Sequence, residues 1–252
     1  MKTLENKVAI VTGAASGMGK AIALLFAQEG ARVVASDVNA DGLEKLEKEI
    51  AAAGGTVITV EANVALEADV ARMIGAALKN FNAIDILINN AGVLDDFMPV
   101  AETSNALWDR VMGINVNGPF YASRLAVQAM LKQGKGVIIN ISSVGGLFGS
   151  RAGVAYTSSK HALIGMTKNI AFQYADKGIR CNAIAPGGVN TNIGAGMQPN
   201  PLGFAKLNLG IQANVRMGEP GEIAQVALFL ASEQSSFVNG AVLVADGGWT
   251  AY

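Results

Sequence analysis

Short runs rich in Val, Ile and Ala alternate along this chain with longer stretches of helical periodicity, and that alternation limits the fold more than any other feature. Residues 7–13 (KVAIVTG), 31–37 (ARVVASD), 56–62 (TVITVEA) and 83–92 (AIDILINNAG) read as successive buried strands. Residues 136–143 (GVIINISS), 179–187 (IRCNAIAPG) and 240–248 (GAVLVADGG) continue the series. Amphipathic segments lie between them at 18–29, 41–53, 67–80, 104–132 and 155–176. Consecutive strands joined through helices pair in parallel by right-handed crossovers, so the expected architecture is a parallel sheet with helices on both faces. A doubly covered sheet needs apolar strands and few charges, and the chain is 51% hydrophobic and 15% charged.

The same numbers narrow the partners. A formal net charge of −1 gives no electrostatic footprint for nucleic acid or for an anionic membrane. No apolar run approaches the ~18 residues of a membrane span. The first residues enter a strand-like run by Lys7, which leads to the expectation of a cytoplasmic protein without a signal peptide. Cys181 stands alone, so no disulfide or cysteine metal cluster is expected within the chain. No composition break marks a second domain, and residues 1–252 are expected to form one unit. Residues 190–215, rich in Gly, Asn, Met and Pro, are too long for an ordinary connection and read as a functional lid or a short mobile helix, with a variable surface insertion as the alternative.

The stretch VTGAASGMGK follows the first strand directly and opens a helix. Gly13, Gly17 and Gly19 permit a tight turn and a close backbone approach to a pyrophosphate, whose charge then rests on the helix N-terminus. The motif lacks the Lys-Ser/Thr ending of a triphosphate-binding loop. Asp37 ends the second strand, where its carboxylate can accept bonds from both adenosine ribose hydroxyls and repel a 2′-phosphate. Neither Arg nor Lys occurs within GAASGMG, so the reading is NAD rather than NADP. The other role open to Asp37 is to cap the next helix.

With these features in place the chain closely resembles the short-chain dehydrogenase/reductase family over almost its whole length. The resemblance rests on TGAASGMG, Asp37, NNAG (89–92), INVNG (114–118), ISS ending at Ser143, Tyr156-x3-Lys160 and APGGVNT (185–191). It implies a single-domain Rossmann fold, an α/β doubly wound sheet of seven parallel strands, commonly in a homotetramer. For the cofactor it implies contacts from Gly13, Ser16, Gly17, Met18, Gly19, Asp37, Asn63, Val64, Asn90, Ala91 and Gly92. Pro186, Gly187, Val189 and Thr191 would sit beside the nicotinamide. The family usually has Asp where this chain has Asn63, whose amide oxygen can still accept a bond from the adenine amine.

Interconversion of a ketone and a secondary alcohol needs a hydride and a proton. A tyrosine hydroxyl, with a pKa near ~10, is a weak base at neutral pH, and a nearby ammonium lowers that value. Tyr156 and Lys160, four residues apart, share a helix face. The resemblance implies that Tyr156 is the acid/base, that Lys160 also binds the nicotinamide ribose, and that Ser143 polarises the substrate oxygen. It implies that Asn115, within one long helix over 104–132, holds a water that links Lys160 to solvent. Family alignment selects Ser143 over Ser142 and Asn115 over Asn117. His161, the single histidine, lies about 100° around the helix from Lys160 and has no triad partner by sequence, so it reads as a bystander.

Leu94, Asp95, Ser143, Gly145 and Tyr156 are expected to touch the substrate, within walls that are mostly apolar. No metal is expected. Within the family the chain is similar to bacterial 3-oxoacyl carrier-protein reductases and to sugar or small-alcohol dehydrogenases. The expected partner is therefore a small carbonyl or alcohol, with a 3-oxoacyl thioester among the candidates and a polyol or diketone as the alternative. A silent NAD sensor would have no need of the Tyr/Lys/Ser set, and a methyltransferase would leave it unexplained.

Overall fold

The computed structural model describes residues 2–251. Its strands are β1 (Val8–Thr12), β2 (Arg32–Asp37), β3 (Thr56–Glu61), β4 (Ile86–Asn89), β5 (Gly136–Ile141), β6 (Ile179–Pro186) and β7 (Val242–Ala245). They form one sheet in the order β3-β2-β1-β4-β5-β6-β7, and every pair is parallel. Each strand lies inside a run expected from the sequence. The chain first winds outward from β1 to β3 and then restarts beside β1 with β4. That reversal opens a crevice at the carboxyl ends of β1 and β4.

Alternation along the strands feeds two cores. Ala9, Val11, Val33 and Ile88 pack on one face against α1 (Gly17–Gln28), α2 (Ala40–Ala52) and α8 (Pro220–Ala231). Val8, Ile10, Val34 and Leu87 pack on the other against α3 (Glu67–Phe81), α5 (Gly118–Gln133) and α6 (Val154–Gln173). Phe26 and Ile22 anchor the first core, and Met73 and Met130 the second; all four are fully buried. No helix among the described residues is long and apolar enough to cross a membrane.

The single helix expected over 104–132 is instead α4 (Asn105–Met112), a π turn (Gly113–Asn117) and then α5. Pro119 explains the break. It has no N–H for the carbonyl four residues back, which belongs to Asn115, so the regular ladder cannot continue there. Gly118 allows the widened turn to press on the loop after β3, where an added Cβ would lie 2.9 Å from Val64 Cβ.

The expected lid contains a 3₁₀ turn (Asn192–Gly194) and a helix, α7 (Pro201–Ile211). Asn200 caps α7 by accepting from the Gly203 amide at 3.0 Å. Glu219 and Glu222 form a capping box that starts α8.

Candidate active site

The crevice at the switch point is a cleft of about 340 Å³. Gly13, Ser16, Gly17, Met18, Asp37, Asn63, Val64, Asn90, Ala91, Gly92 and Thr191 all line it. So do Val38, Ala62, Val93, Ile114, Asn192 and Ile193, which the sequence did not single out; most are immediate neighbours of those that were.

The turn after β1 is built for close approach. Gly13 and Gly17 hold φ of +66° and +54°, and an added Cβ on Gly19 would lie 2.0 Å from the Gly13 carbonyl oxygen. Asn90 locks this turn from the next strand, its Nδ2 donating to the Thr12 and Gly13 carbonyls at 2.8 and 3.1 Å. Thr12 Oγ1 in turn accepts from the amides of Asn90 and Ala91. The first turn of α1 has no side-chain cap and no acidic residue, so its amides are left for an anion. These features fit the pyrophosphate of a dinucleotide.

Asp37 accepts from the Ala15 and Asn39 amides at 3.0 Å each. The cap of α2 is Asn39, which accepts from Gly42, so Asp37 is not that cap. Asn63 Oδ1 accepts from the Ala65 amide at 3.0 Å, and a second lone pair remains for an adenine amine. Thr191 crosses the cleft to Gly17, where an added Cβ would sit 3.2 Å from Thr191 Cβ. Pro186, Gly187 and Val189 do not line the cleft itself; Pro186 ends β6, and Gly187 packs so closely on Asp246 that a Cβ would lie 2.7 Å from it.

Tyr156 and Lys160 face inward from α6, with 8% and 4% of their surface exposed. Ser143 Oγ accepts from the Gly145 amide at 2.9 Å, and its hydroxyl lowers the pKa of the neighbouring Tyr156. With one accepted bond from Gly145, the Ser143 hydroxyl keeps its proton as a donor. Ser142 points elsewhere, donating to the Lys160 carbonyl at 3.1 Å. Lys160 Nζ donates to the Ile141 carbonyl at 2.9 Å and stands 5.4 Å from the Tyr156 ring centre. It packs behind Gly92 of the cleft wall, where a Cβ on Gly92 would lie 3.4 Å from both Lys160 Nζ and Asn115 Oδ1.

The structure changes several expectations. Asn115 is fully buried, and its side chain accepts from Val93 N and donates to Val93 O and Ser159 Oγ at 2.9, 3.0 and 3.1 Å. It therefore braces the end of β4 against α6. Asp95 does not wall the substrate space: it is fully buried, and its carboxylate accepts from the Gly153 and Tyr156 amides. Gly145 is also buried, and its contacts run to Ser143 and the Tyr156 ring. Leu94, half-buried, precedes Asp95 in the same connection. His161 is exposed on the outer face of α6, its Nδ1 2.9 Å from the Thr157 carbonyl. Cys181 is buried, and desolvation pushes its thiol up to about 12.

Burial pushes Tyr156 up to about 12; the Ser143 hydroxyl opposes that rise and the Asp95 charge adds to it. The same burial brings Lys160 down to about 8. Among the described residues no group of three or more His, Cys, Asp or Glu could hold a metal.

A family model described as Enoyl-(Acyl carrier protein) reductase matches residues 13–250. The chain is 46% identical over 251 residues to 3beta-hydroxysteroid dehydrogenase 2 of Eggerthella lenta, covering 99% of this chain and 96% of that one. The crystal structure of levodione reductase superposes with a TM-score of 0.91 at 35% identity, covering 99% of this chain and 100% of that one. A Beutenbergia cavernae dehydrogenase structure with bound NADP at low occupancy gives a TM-score of 0.89 at 36% identity, with 99% of each chain covered. The glycine turn on an uncapped helix, the switch-point cleft and the buried Tyr156/Lys160 pair thus occur in a chain that belongs to the short-chain dehydrogenase/reductase family, oxidoreductases that use a nicotinamide cofactor to interconvert alcohols and carbonyls.

Proposed function

We propose that this protein is an NAD(H)-dependent dehydrogenase that interconverts an uncharged, apolar ketone and its secondary alcohol, with Tyr156 as acid and base. The observation that carries this reading is the buried Tyr156/Lys160 pair on one face of α6 with Ser143 acting on the Tyr156 hydroxyl, in a fold whose dinucleotide cleft is lined by Asp37 and by no Lys or Arg. The nicotinamide, when bound, supplies or takes up the hydride.

The protein's own groups manage the proton. In reduction Ser143, oriented by the Gly145 amide, donates to the carbonyl oxygen while Tyr156 gives its proton to the developing alkoxide. A tyrosine held near 12 keeps that proton across the physiological range. In oxidation Tyr156 must accept the proton of the alcohol, which requires a phenolate. The Lys160 ammonium and the positive charge of an oxidised nicotinamide both favour that form. Asn115 fixes the end of β4, and with it Ala91 and Gly92 on the cleft wall.

The Asp37 carboxylate favours a free ribose diol over a 2′-phosphate, which supports NAD as the cofactor. Val144 and Gly145 follow Ser143, and Leu147 and Phe148 lie just beyond them, which favours apolar frames around the carbonyl. Similarity to a hydroxysteroid dehydrogenase points the same way. Exposed Phe172, at 84%, on α6 and Phe120 on α5 support association of copies through these helices into a homotetramer, with the whole chain acting as one domain.

The test is NADH oxidation with cyclohexanone, a 3-oxosteroid, diacetyl and an acetoacetyl thioester, beside NAD⁺ reduction with cyclohexanol and polyols. Turnover of the apolar ketones with NADH, lost in Tyr156→Phe, is expected. Failure of every carbonyl and alcohol would favour a cofactor sensor, and preference for the acetoacetyl thioester would move the substrate class.

A further inference from the structure

The helix that carries Tyr156 begins without a cap of its own. Its N-cap is Gly153, in extended conformation with φ −77°, and the first turn holds no acidic residue. Val154, Ala155 and Tyr156 occupy the first three helical positions, so the Tyr156 amide is one of the orphan donors of the helix start. In a capping box the N-cap amide and the third-position amide are bonded by two side chains from the helix itself. Here one carboxylate from far along the chain takes both. Asp95 Oδ1 accepts from the Gly153 amide at 3.0 Å, and Asp95 Oδ2 accepts from the Tyr156 amide at 2.8 Å.

The fit is steric as well as polar. A Cβ on Gly153 would lie 2.6 Å from Asp95 Oδ2 and 2.5 Å from the Met98 amide nitrogen, so only glycine admits the carboxylate. Met98 adds a backbone bond, its carbonyl accepting from the Val154 amide at 3.0 Å. The connection that delivers these groups is strained: Asp96 and Phe97 hold φ of +54° and +58° with side chains present. Asp95 is fully buried, and among the described residues no Lys, Arg or His pairs with it. Its negative charge is therefore held by the helix N-terminus.

We propose that Asp95 is a positioning residue for Tyr156: it caps the helix in place of the side chain Gly153 lacks, and so sets where the Tyr156 hydroxyl meets Ser143 and the substrate oxygen. The inference rests on the acid/base role given to Tyr156 above. Asp95 makes its hydrogen bonds to backbone amides, so it positions Tyr156 through the helix, and its charge reaches the hydroxyl only by raising the pKa.

The test compares Asp95→Ala and Asp95→Asn with the parent, using cyclohexanone as carbonyl, NADH affinity by fluorescence, and hydrogen exchange at the Gly153 and Tyr156 amides. A displacement of a reacting group by about 1 Å costs on the order of a hundredfold, so kcat of the alanine variant should fall by about 30- to 100-fold. The asparagine variant keeps one acceptor oxygen and should fall less. NADH affinity should stay within about twofold, because the cleft residues are untouched. Exchange should quicken at the two amides and not in the sheet. Adding Asp95→Ala to Tyr156→Phe should lower residual turnover no further.

Alanine-variant kcat within about threefold of the parent would overturn the inference. So would NADH affinity lost in step with kcat in both variants, or failure of both to fold, since either would make Asp95 a general stability residue. Tyr156→Phe with near-normal turnover would instead refute the role of Tyr156, and this inference with it.

Discussion

Lys160 Nζ donates to the carbonyl of Ile141 at 2.9 Å, which ties the ammonium to the last residue of β5, two before Ser143. One bond thus joins the helix of Tyr156 to the strand that delivers Ser143. The ammonium is held where water does not reach, and its pKa falls to about 8.

That burial has a stability consequence with a definite sign. The unfolded chain holds the Lys160 proton up to about 10.5, and the folded protein releases it at about 8. Between those values the unfolded state binds more protons, so this group makes stability rise with pH; below about 8 its penalty is fully present, on the order of 3 kcal/mol. Lys160→Met removes the penalty but leaves the Ile141 carbonyl without its donor, an offset of about 1–3 kcal/mol. Urea unfolding should find the variant no less stable than the parent at pH 7, and the difference between the two should shift in the parent's favour from pH 8 to 10.5. A constant difference would refute the buried ammonium.

Tyr156 predicts opposite pH behaviour for the two directions of reaction. Its proton is held up to about 12, so ketone reduction should vary little from pH 6 to 8. Alcohol oxidation needs the phenolate, and kcat/KM should climb as pH rises from 6 to 8, below the value at which Lys160 releases its proton. Tyr156→Phe should remove more than about 99% of turnover in both directions and leave NADH affinity within about twofold. Initial rates and fluorescence titration suffice.

Asp37→Ser should change cofactor choice rather than chemistry. Loss of the carboxylate removes repulsion of a 2′-phosphate, and the NADPH/NADH ratio of kcat/KM should rise by about tenfold or more, equivalent to about 1.4 kcal/mol. An unchanged ratio would mean that other groups set the preference.

Gly19→Ala should cost NADH binding. The new methyl would meet the Gly13 carbonyl oxygen at 2.0 Å and Asn90 Nδ2 at 2.5 Å, and the main-chain contact cannot be relieved by a side-chain shift. A loss of at least about tenfold in NADH affinity is expected, measured by fluorescence. His161→Ala, by contrast, should keep turnover within about threefold, because that ring faces outward.

Much of this was legible in the sequence because it is local. Apolar runs located all seven strands, the glycine spacing located the turn, and four-residue spacing put Tyr156 and Lys160 on one face. What escaped depended on contacts between distant residues. Asp95 looked like a pocket wall because nothing near it in sequence says that its partners are the amides of Gly153 and Tyr156. The burial that raises the Tyr156 pKa is likewise a property of the assembled fold and not of its neighbours in sequence. The break at Gly113–Asn117 was readable in principle: Pro119 withholds the N–H that the Asn115 carbonyl would need.

The connection that supplies Asp95 has a second attachment. The Asp96 carbonyl accepts from the Asn200 amide at 2.8 Å, Glu102 accepts from the Asn200 side chain at 2.7 Å, and Phe97 stacks on Phe204 with ring centres 6.0 Å apart. Residues 95–102 are therefore a shared hinge plate: one edge carries α7 and the other the start of α6. A chimera that imports only residues 190–215 from a relative would seat a foreign helix on a native plate. A graft of either stretch alone leaves the Asp96, Glu102 and Phe97 contacts to Asn200 and Phe204 without their native partners.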